Sequence, residues 1–397
     1  MPWSASVSDE KLSFIMDWQA EVASVAELCR WYGVSRDSGH KLINRFRAEG
    51  LDGLKGRSRA PHSHPNAVSE EIVAALLAMR HRYPSWGSKK IRSKLAQENP
   101  SVRWPALSTI NEILSRHGLT VRRHPRRRAP VDHSGLSSCA ASNDVWGVDF
   151  KGWFRTLDGT RCDPLSMTDL HSRFVLKLQI VTRPDGAQVW PLFDAAFREF
   201  GRPRVMRSDN GPPFAAVAVG GLSSLAVRLI KAGVRPERIA PGKPQQNGRH
   251  ERLHRTLKDE TASPPAADPR AQQRRFDRFR RYFNEQRPHE ALGQVTPGSV
   301  YQPPSRNWSG RLREPEYGSD HLVRRVRQNG EIKWQGGLLF LGEALIGEPV
   351  GLVEADNDRW TVSYGPIELG TITEAGKFAR SQRGHAPAEI HGPPLPD

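Results

Sequence analysis

Cysteine is scarce in this sequence, and long apolar runs are missing from it. Its 397 residues hold three cysteines, Cys29, Cys139 and Cys162, far apart and in no Cys-x-x-Cys pair. An odd, scattered set offers neither a disulfide framework nor a cysteine-based zinc site. No stretch approaches the roughly 18 consecutive apolar residues needed to span a bilayer. The N-terminal segment carries Asp9, Glu10, Asp17, Glu21 and Glu27 and lacks the apolar core of a secretory signal. The expectation is a soluble, cytoplasmic protein with no membrane partner.

Positive charge is what the sequence has in surplus. Lys and Arg total 59 against 43 Asp and Glu, a formal net charge of +16. A surplus of that size points to a polyanion such as DNA or RNA, and arginine suits phosphate because its planar fork grips two oxygens at once. Hydrophobic residues make up 37% of the chain, enough for packed cores, and the length suits two to four domains.

Residues 8–58 read as a helix-turn-helix unit. Leu12, Ile15 and Met16 supply an apolar set, a helix runs over about Val25–Tyr32, and Gly33-Val34-Ser35 makes a tight turn. Ser35 then caps a helix over about Arg36–Ala48, with Leu42, Ile43 and Phe46 inward. Its outward residues Lys41, Arg45 and Arg47 are the candidate DNA contacts. Residues 66–121 form a second helical, helix-turn-helix-like unit, in which Ile72, Leu76 and Met79 mark one helix face. Trp86–Ile91 opens another helix, and a third with Ile110, Ile113 and Leu114 inside follows Ser108 and stops at Gly118. The segment 122–142 is a basic linker whose Arg126, Arg127 and Arg128 track a phosphate backbone.

From residue 143 the period changes to two. Trp146, Val148 and Phe150 alternate with Gly147, Asp149 and Lys151, a strand with one buried face. Further strands at 164–169 and 174–181, a helix near 187–200 and a short strand at 204–207 make a mixed α/β core spanning 143–302. An arginine-rich helix near 270–287 carries Phe276, Phe279 and Phe283 at intervals of three and four, and Pro288, Pro297, Pro303 and Pro304 mark a linker. Short strands separated by Asn329-Gly330, Gly336-Gly337 and Asp356-Asn357-Asp358 suggest a small all-β barrel over 319–375, and 386–397 is a polar tail.

Three acids stand out from their surroundings. Asp149 lies mid-strand on the face opposite the apolar residues, where a carboxylate needs solvent or a metal. Asp209 follows a short strand in Arg207-Ser208-Asp209-Asn210-Gly211-Pro212-Pro213-Phe214, at the strand end where α/β sheets build their sites. Glu251 opens a helix after Gln245-Gln246-Asn247-Gly248. At 100° per residue, Arg255 and Lys258 fall within about 40° of Glu251, while Leu253 and Leu257 point away.

Tryptophan-x-x-Asp, Ser-Asp-Asn-Gly and Gln-Gln-Asn-Gly-x-x-Glu, in that order, resemble the DDE transposases of the retroviral-integrase superfamily. The likeness is greatest to bacterial transposases of the insertion sequence 481 family. It covers nearly the whole chain and is sharpest over 208–214 and 241–258. It implies a ribonuclease-H-like core, with Asp149, Asp209 and Glu251 as catalytic acids and metal ligands. There are 41 residues between Asp209 and Glu251, more than in retroviral integrases, and the surplus is expected within 215–224. The His-His-Cys-Cys zinc module of those integrases is absent.

The resemblance implies binding to inverted repeats, nicking of the ends and joining of the 3′-hydroxyls to target DNA. Hard oxygen ligands favour Mg²⁺ or Mn²⁺, two ions being expected. Arg255 and Lys258 join the candidate backbone contacts. The DNA partners are terminal repeats and target, with a dimer or higher assembly, no small-molecule substrate and a nucleoid location. A transposase-derived DNA-binding regulator and a nuclease that cuts without joining are the alternatives.

Overall fold

The computed structural model describes residues 7–55, 67–120, 135–215, 219–304, 306–355 and 359–381. Arg126, Arg127, Arg128, most of the basic linker, the 61–65 linker and the 386–397 tail lie outside the described residues. The chain divides into two compact units, 1–68 and 69–397. No helix among the described residues is long and apolar enough to cross a membrane.

The first unit packs α1 (Val7–Gln19), α2 (Val25–Trp31) and α3 (Arg36–Glu49) around Phe14, Ile15, Leu28, Cys29, Ile43 and Leu54. Ser24 and Glu27 form a capping box on α2, and the Ser35 hydroxyl accepts from the Ser38 N–H at 3.2 Å, as its predicted cap role requires. Gly33, at φ +63°, supplies the left-handed turn between the two helices. The α1 face differs from the sequence reading. Phe14 and Ile15 are buried, whereas Leu12 and Met16 face solvent. Adjacent apolar residues are ambiguous, and Gly39 decides between them. Its missing side chain leaves room for Phe14 and Cys29, whose sulfur would lie 2.4 Å from an added Cβ.

The second unit begins with α4 (Glu70–Arg82), α5 (Ser88–Glu98) and α6 (Leu107–Arg116), which bury Leu76, Met79, Ile91, Leu95, Ile110, Ile113 and Leu114. Ala106, not a residue at 108, is the cap of α6, so Ser108 sits inside the first turn. These helices do not stand alone. The Trp86 indole N–H donates to the Tyr282 hydroxyl at 2.5 Å, Tyr83 stacks on Trp86, and the Lys90 ammonium donates to the Pro288 carbonyl at 2.6 Å.

The core follows in the order β1 (Val145–Phe150), β2 (Phe154–Arg155), β3 (Arg161–Asp169), β4 (Val175–Val181), α7 (Gly186–Phe200), β5 (Val205–Ser208), α8 (Ser224–Lys231), β6 (Arg235–Arg238), α9 (Gly248–Thr261) and α10 (Pro269–Glu285). The sheet runs β4-β3-β1-β5-β6, with β2 added to the start of β3. β1 is antiparallel to β3 and parallel to β5, and β5 is parallel to β6. This is a ribonuclease-H-like core. On one face Trp146, Val148, Leu165 and Met167 pack with Phe193, Phe197 and Leu229 of α7 and α8. On the other, Leu253 and Leu257 of α9 and Phe276, Phe279 and Phe283 of α10 close over β4.

The C-terminal region holds β7 (Leu322–Arg325), β8 (Glu331–Trp334), β9 (Gly337–Phe340), β10 (Pro349–Ala355), β11 (Arg359–Tyr364), β12 (Ile367–Ile372) and β13 (Phe378–Arg380). These make an antiparallel sheet ordered β13-β12-β11-β10-β7 and a separate β8–β9 hairpin, turned at Gln335 and Gly336, both at positive φ. Among the described residues no pairing of β13 with β7 closes the predicted barrel. Val219, Leu222, Val227 and Ile230 share one hydrophobic cluster with Val350, Leu352, Val362 and Leu369. Part of the long Asp209–Glu251 spacing therefore serves to seat the C-terminal sheet. The proline-bearing segment before that sheet is also pinned: the Arg306 guanidinium donates to the Pro203 and Gly233 carbonyls, and the Trp308 indole to Asp194.

Candidate active site

The parallel register of β1 and β5 sets the site. Val145 faces Val205, Trp146 faces Met206 and Gly147 faces Arg207. The same offset carried two residues further makes Asp149 level with Asp209, on neighbouring strands about 4.8 Å apart. Asp209 lies one residue beyond β5 and is held by its own turn: its carboxylate accepts from the Gly211 N–H at 3.1 Å. The Asn210 amide ties that turn to β6 by donating to the Ile239 carbonyl at 2.8 Å.

Glu251 comes from the first turn of α9 and is exposed. The Asn247 amide, at the same helix start, donates to Asp149 Oδ2 at 2.6 Å. Burial pushes the Asp149 carboxyl up to about 7, and the Asp209 charge adds to the push; Asn247 opposes it, and the Glu251 charge raises it further. Asp209 and Glu251 thus both come within electrostatic reach of Asp149.

Two histidines that the sequence reading passed over line the same spot. His250 and His254 sit one turn apart on the buried face of α9 with Leu253, Leu257 and Thr261. Ser166 Oγ lies 2.8 Å from His254 Nε2 and 3.4 Å from His250 Nδ1, and Thr168 Oγ1 lies 3.2 Å from His250 Nε2. Burial holds both rings neutral, lowering His250 to about 3 and His254 to about 4, and the remaining nitrogen, His254 Nδ1, stands 3.9 Å from Asp149 Oδ2. The signal was present as His-x-x-x-His at helical spacing. Gly147 makes the arrangement possible, because a Cβ there would lie 2.2 Å from His250 Nε2.

The chemistry of these donors bears on a metal. The Asp149 carboxylate, acted on by the Asp209 and Glu251 charges, stores repulsion that a divalent cation relieves. Asp149, His250 and His254 also offer ligand atoms within 4.8 Å of one another, a group able to hold a metal ion. Three of the four ring nitrogens there already face hydroxyls, whereas among the described residues only one Asp209 carboxylate oxygen is engaged, by the Gly211 N–H, so a cation on the histidine side would displace more hydrogen bonds than one at Asp209.

The pH dependence follows from the raised Asp149 carboxyl. Below about 7 it carries a proton that a cation must displace. Apparent Mn²⁺ affinity should rise about tenfold per pH unit up to about 7 and level off above it. Without metal the sign reverses for folding. The native state keeps a proton that the unfolded chain sheds near pH 4, so stability falls from about pH 4 to about 7. Calorimetric titrations at several pH values check the first expectation; a flat affinity profile would remove Asp149 from the ligand set.

The cations predicted to meet DNA are placed unevenly. Arg255 and Lys258 are exposed beside Glu251. In the first unit Lys41 is exposed and paired with Asp37 at 2.6 Å, and Arg47 lies over the Trp18 ring at 5.0 Å. Arg45 departs from the expected outward face. It is half-buried and donates to the Lys55 carbonyl at 2.8 Å, bracing the turn after α3.

Residues 140–244 and 232–297 match the integrase core domain, residues 10–62 a helix-turn-helix domain and residues 38–114 a homeodomain-like domain. The chain is 28% identical over 250 residues to an uncharacterized 39.2 kDa protein of insertion element IS476 from Xanthomonas euvesicatoria, covering 62% of this chain and 69% of that one. It is 26% identical over 260 residues to an uncharacterized 31.7 kDa protein of insertion element IS407 from Burkholderia multivorans, covering 64% and 89%. Among solved structures, the magnesium-bound HTLV-2 integrase catalytic core aligns at 14% identity and TM-score 0.33, over 41% of this chain and 99% of that one. A simian T-cell lymphotropic virus intasome chain aligns at 16% identity and TM-score 0.36, over 77% and 99%.

Proposed function

We propose that this chain, a polynucleotidyl transferase of the retroviral-integrase superfamily with helix-turn-helix DNA-binding modules, is the DNA transposase of an insertion sequence. It binds the terminal inverted repeats, nicks the ends and joins the freed 3′-hydroxyls to target DNA. The observation that supports this reading is that the β1–β5 register, extended by two residues, brings Asp149 level with Asp209, while the Asp209 and Glu251 charges both act on Asp149. The narrower likeness to the insertion sequence 481 family rests on the motif words.

Asp149, Asp209 and Glu251 would hold two Mg²⁺ or Mn²⁺ ions, which when bound polarise the scissile phosphate and ease formation of the nucleophile. Asn247 fixes one Asp149 oxygen, leaving the other toward the substrate. Arg255 and Lys258, on the Glu251 side of α9, grip phosphates next to the scissile one. Water attacks that phosphorus and the bond to the element's 3′-oxygen breaks, giving a free 3′-hydroxyl. This hydroxyl attacks a target phosphodiester and displaces the target's 3′-oxygen. One phosphodiester forms as one is lost, with no covalent enzyme intermediate. Both ends must be held together, which calls for a dimer or larger assembly on DNA.

Incubating the protein and Mg²⁺ with supercoiled plasmid carrying the repeats tests this directly. Joined products are expected. Cut ends without joining would mark a nuclease, and shifted but intact DNA a regulator.

A further inference from the structure

Five basic side chains gather around the start of α9, the turn between β3 and β4 and the facing end of α5. Arg173 occupies the turn between β3 and β4 at φ +66°, a left-handed conformation that costs energy for any residue but glycine. That turn delivers its guanidinium to the Leu170 carbonyl, and Arg249 of α9 donates to the same carbonyl oxygen at 2.8 Å. Two guanidiniums that share one acceptor are close neighbours. Arg252, one turn along α9, is exposed, and Lys90 reaches across from α5 to the Pro288 carbonyl at 2.6 Å. The fifth group is His289, whose Nδ1 is buried and has no hydrogen-bond partner.

Carboxylates offset this group only in part: the Glu290 and Glu260 charges act on Lys90 and the Asp169 charge on Arg173. Among the described residues no acid forms an ion pair with Arg173, Arg249, Arg252 or Lys90. The nearest acid in sequence, Asp169, is spent on the Asn143 N–H, the Ser172 N–H and the Ser172 hydroxyl. Arg287 differs, being paired with Glu260 at 2.6 Å. Elsewhere on the surface cations find partners readily, as Lys41 does with Asp37 and Arg198 with Asp194. The crowding is felt. Burial and then the Arg249 and Arg252 charges bring Arg173 down to about 10. Burial followed by Lys90, Arg173, Arg252 and Arg287 brings His289 down to about 4. Like charges packed this way repel one another, and a bound anion relieves that repulsion.

We propose that Arg173, Arg249 and Arg252, with Lys90 and His289, form a phosphate pocket that grips the DNA backbone next to the catalytic acids. The proposal rests on the transposase reading for its substrate. Its geometry has a further consequence. Lys90 belongs to the α4–α6 module and the other four to the core, so the bound strand is held where the module meets the core. Arg249 and Arg252 flank Glu251 in sequence, so a phosphate gripped there fixes the strand's register relative to that acid.

The test is the salt dependence of binding by the full chain, using Arg173→Gln with Arg249→Gln, and Lys at both positions as the charge-retaining control. One arm uses a duplex bearing the terminal repeat, the other capture of an unrelated duplex by the end-bound protein. The glutamine variant should lower the log–log salt slope by about two units in one arm, so that between 50 and 200 mM salt it loses roughly tenfold less affinity than the wild type. The lysine variant should keep the slope. A loss in the first arm assigns the phosphate to the transposon end, and a loss in the second assigns it to target DNA. An unchanged slope in both arms, with circular dichroism and melting as for wild type, overturns the pocket. That outcome is separable from failure of the transposase reading, which would show as wild-type protein that binds DNA but never cuts it.

Discussion

Asp149→Asn abolishes Mg²⁺-dependent nicking and joining, by on the order of a thousandfold or more, while DNA binding survives. Asparagine keeps the shape and still offers an oxygen to the Asn247 amide, so the 2.6 Å bond has a replacement acceptor. What disappears is the charge that faces Asp209 and Glu251. The same substitution should raise stability at pH 8 in the absence of metal. There the wild-type carboxylate is ionised against burial and two like charges, which hold its carboxyl up to about 7. As pH falls below 7 the gain should shrink, and it should vanish only below about pH 4, where the wild-type carboxyl is protonated in the unfolded chain as well. Loss of activity with a pH-dependent gain in melting temperature marks a residue strained for function. Full activity in the variant would remove Asp149 from the site.

Gly147→Ala should be nearly as damaging although it alters no functional group. The added methyl would lie 2.2 Å from His250 Nε2 and 2.8 Å from Leu170 Cδ2. His250 cannot yield easily, since Ser166 and Thr168 hold it on either side and it is almost fully buried. Overpacking of this kind costs about 3 kcal/mol, a fall of roughly 5–10 °C in Tm. The clash would also push the first turn of α9 away from β1. Asn247 and Glu251 belong to that part of the chain, and a displacement of about 1 Å there costs on the order of a hundredfold in rate. Adding His250→Ala should restore much of the stability, because the ring is the obstacle. If Gly147→Ala melts like wild type, the close approach of α9 to β1 is wrong.

These effects depend on elements of unequal visibility in the sequence. β1 was legible because Trp146 and Val148 bury one face while Gly147 and Asp149 turn to the other. α9 was legible for Leu253 and Leu257, which are apolar at helical spacing. Its histidines were not, because a polar residue on a buried face is explained only by the hydroxyls of Ser166 and Thr168 across the gap. β6 was invisible for a related reason. Arg235-Pro-Glu-Arg238 has no apolar residue, and the strand is fixed by pairing with β5 and by the buried Arg207–Glu237 ion pair at 2.6 Å. The docking of the C-terminal sheet on α8 could not be read either, since an amphipathic helix shows that it has a buried face without saying which partner covers it.

The central claim is that Asp149, Asp209 and Glu251 serve one cation site. Crystals of the protein soaked in Mn²⁺ and measured for anomalous scattering test it most directly. Peaks within ligand distance of Asp149 and Asp209, with Glu251 on one of the ions, are the predicted result. A single peak held by Asp149, His250 and His254, with Asp209 and Glu251 uninvolved, would contradict it.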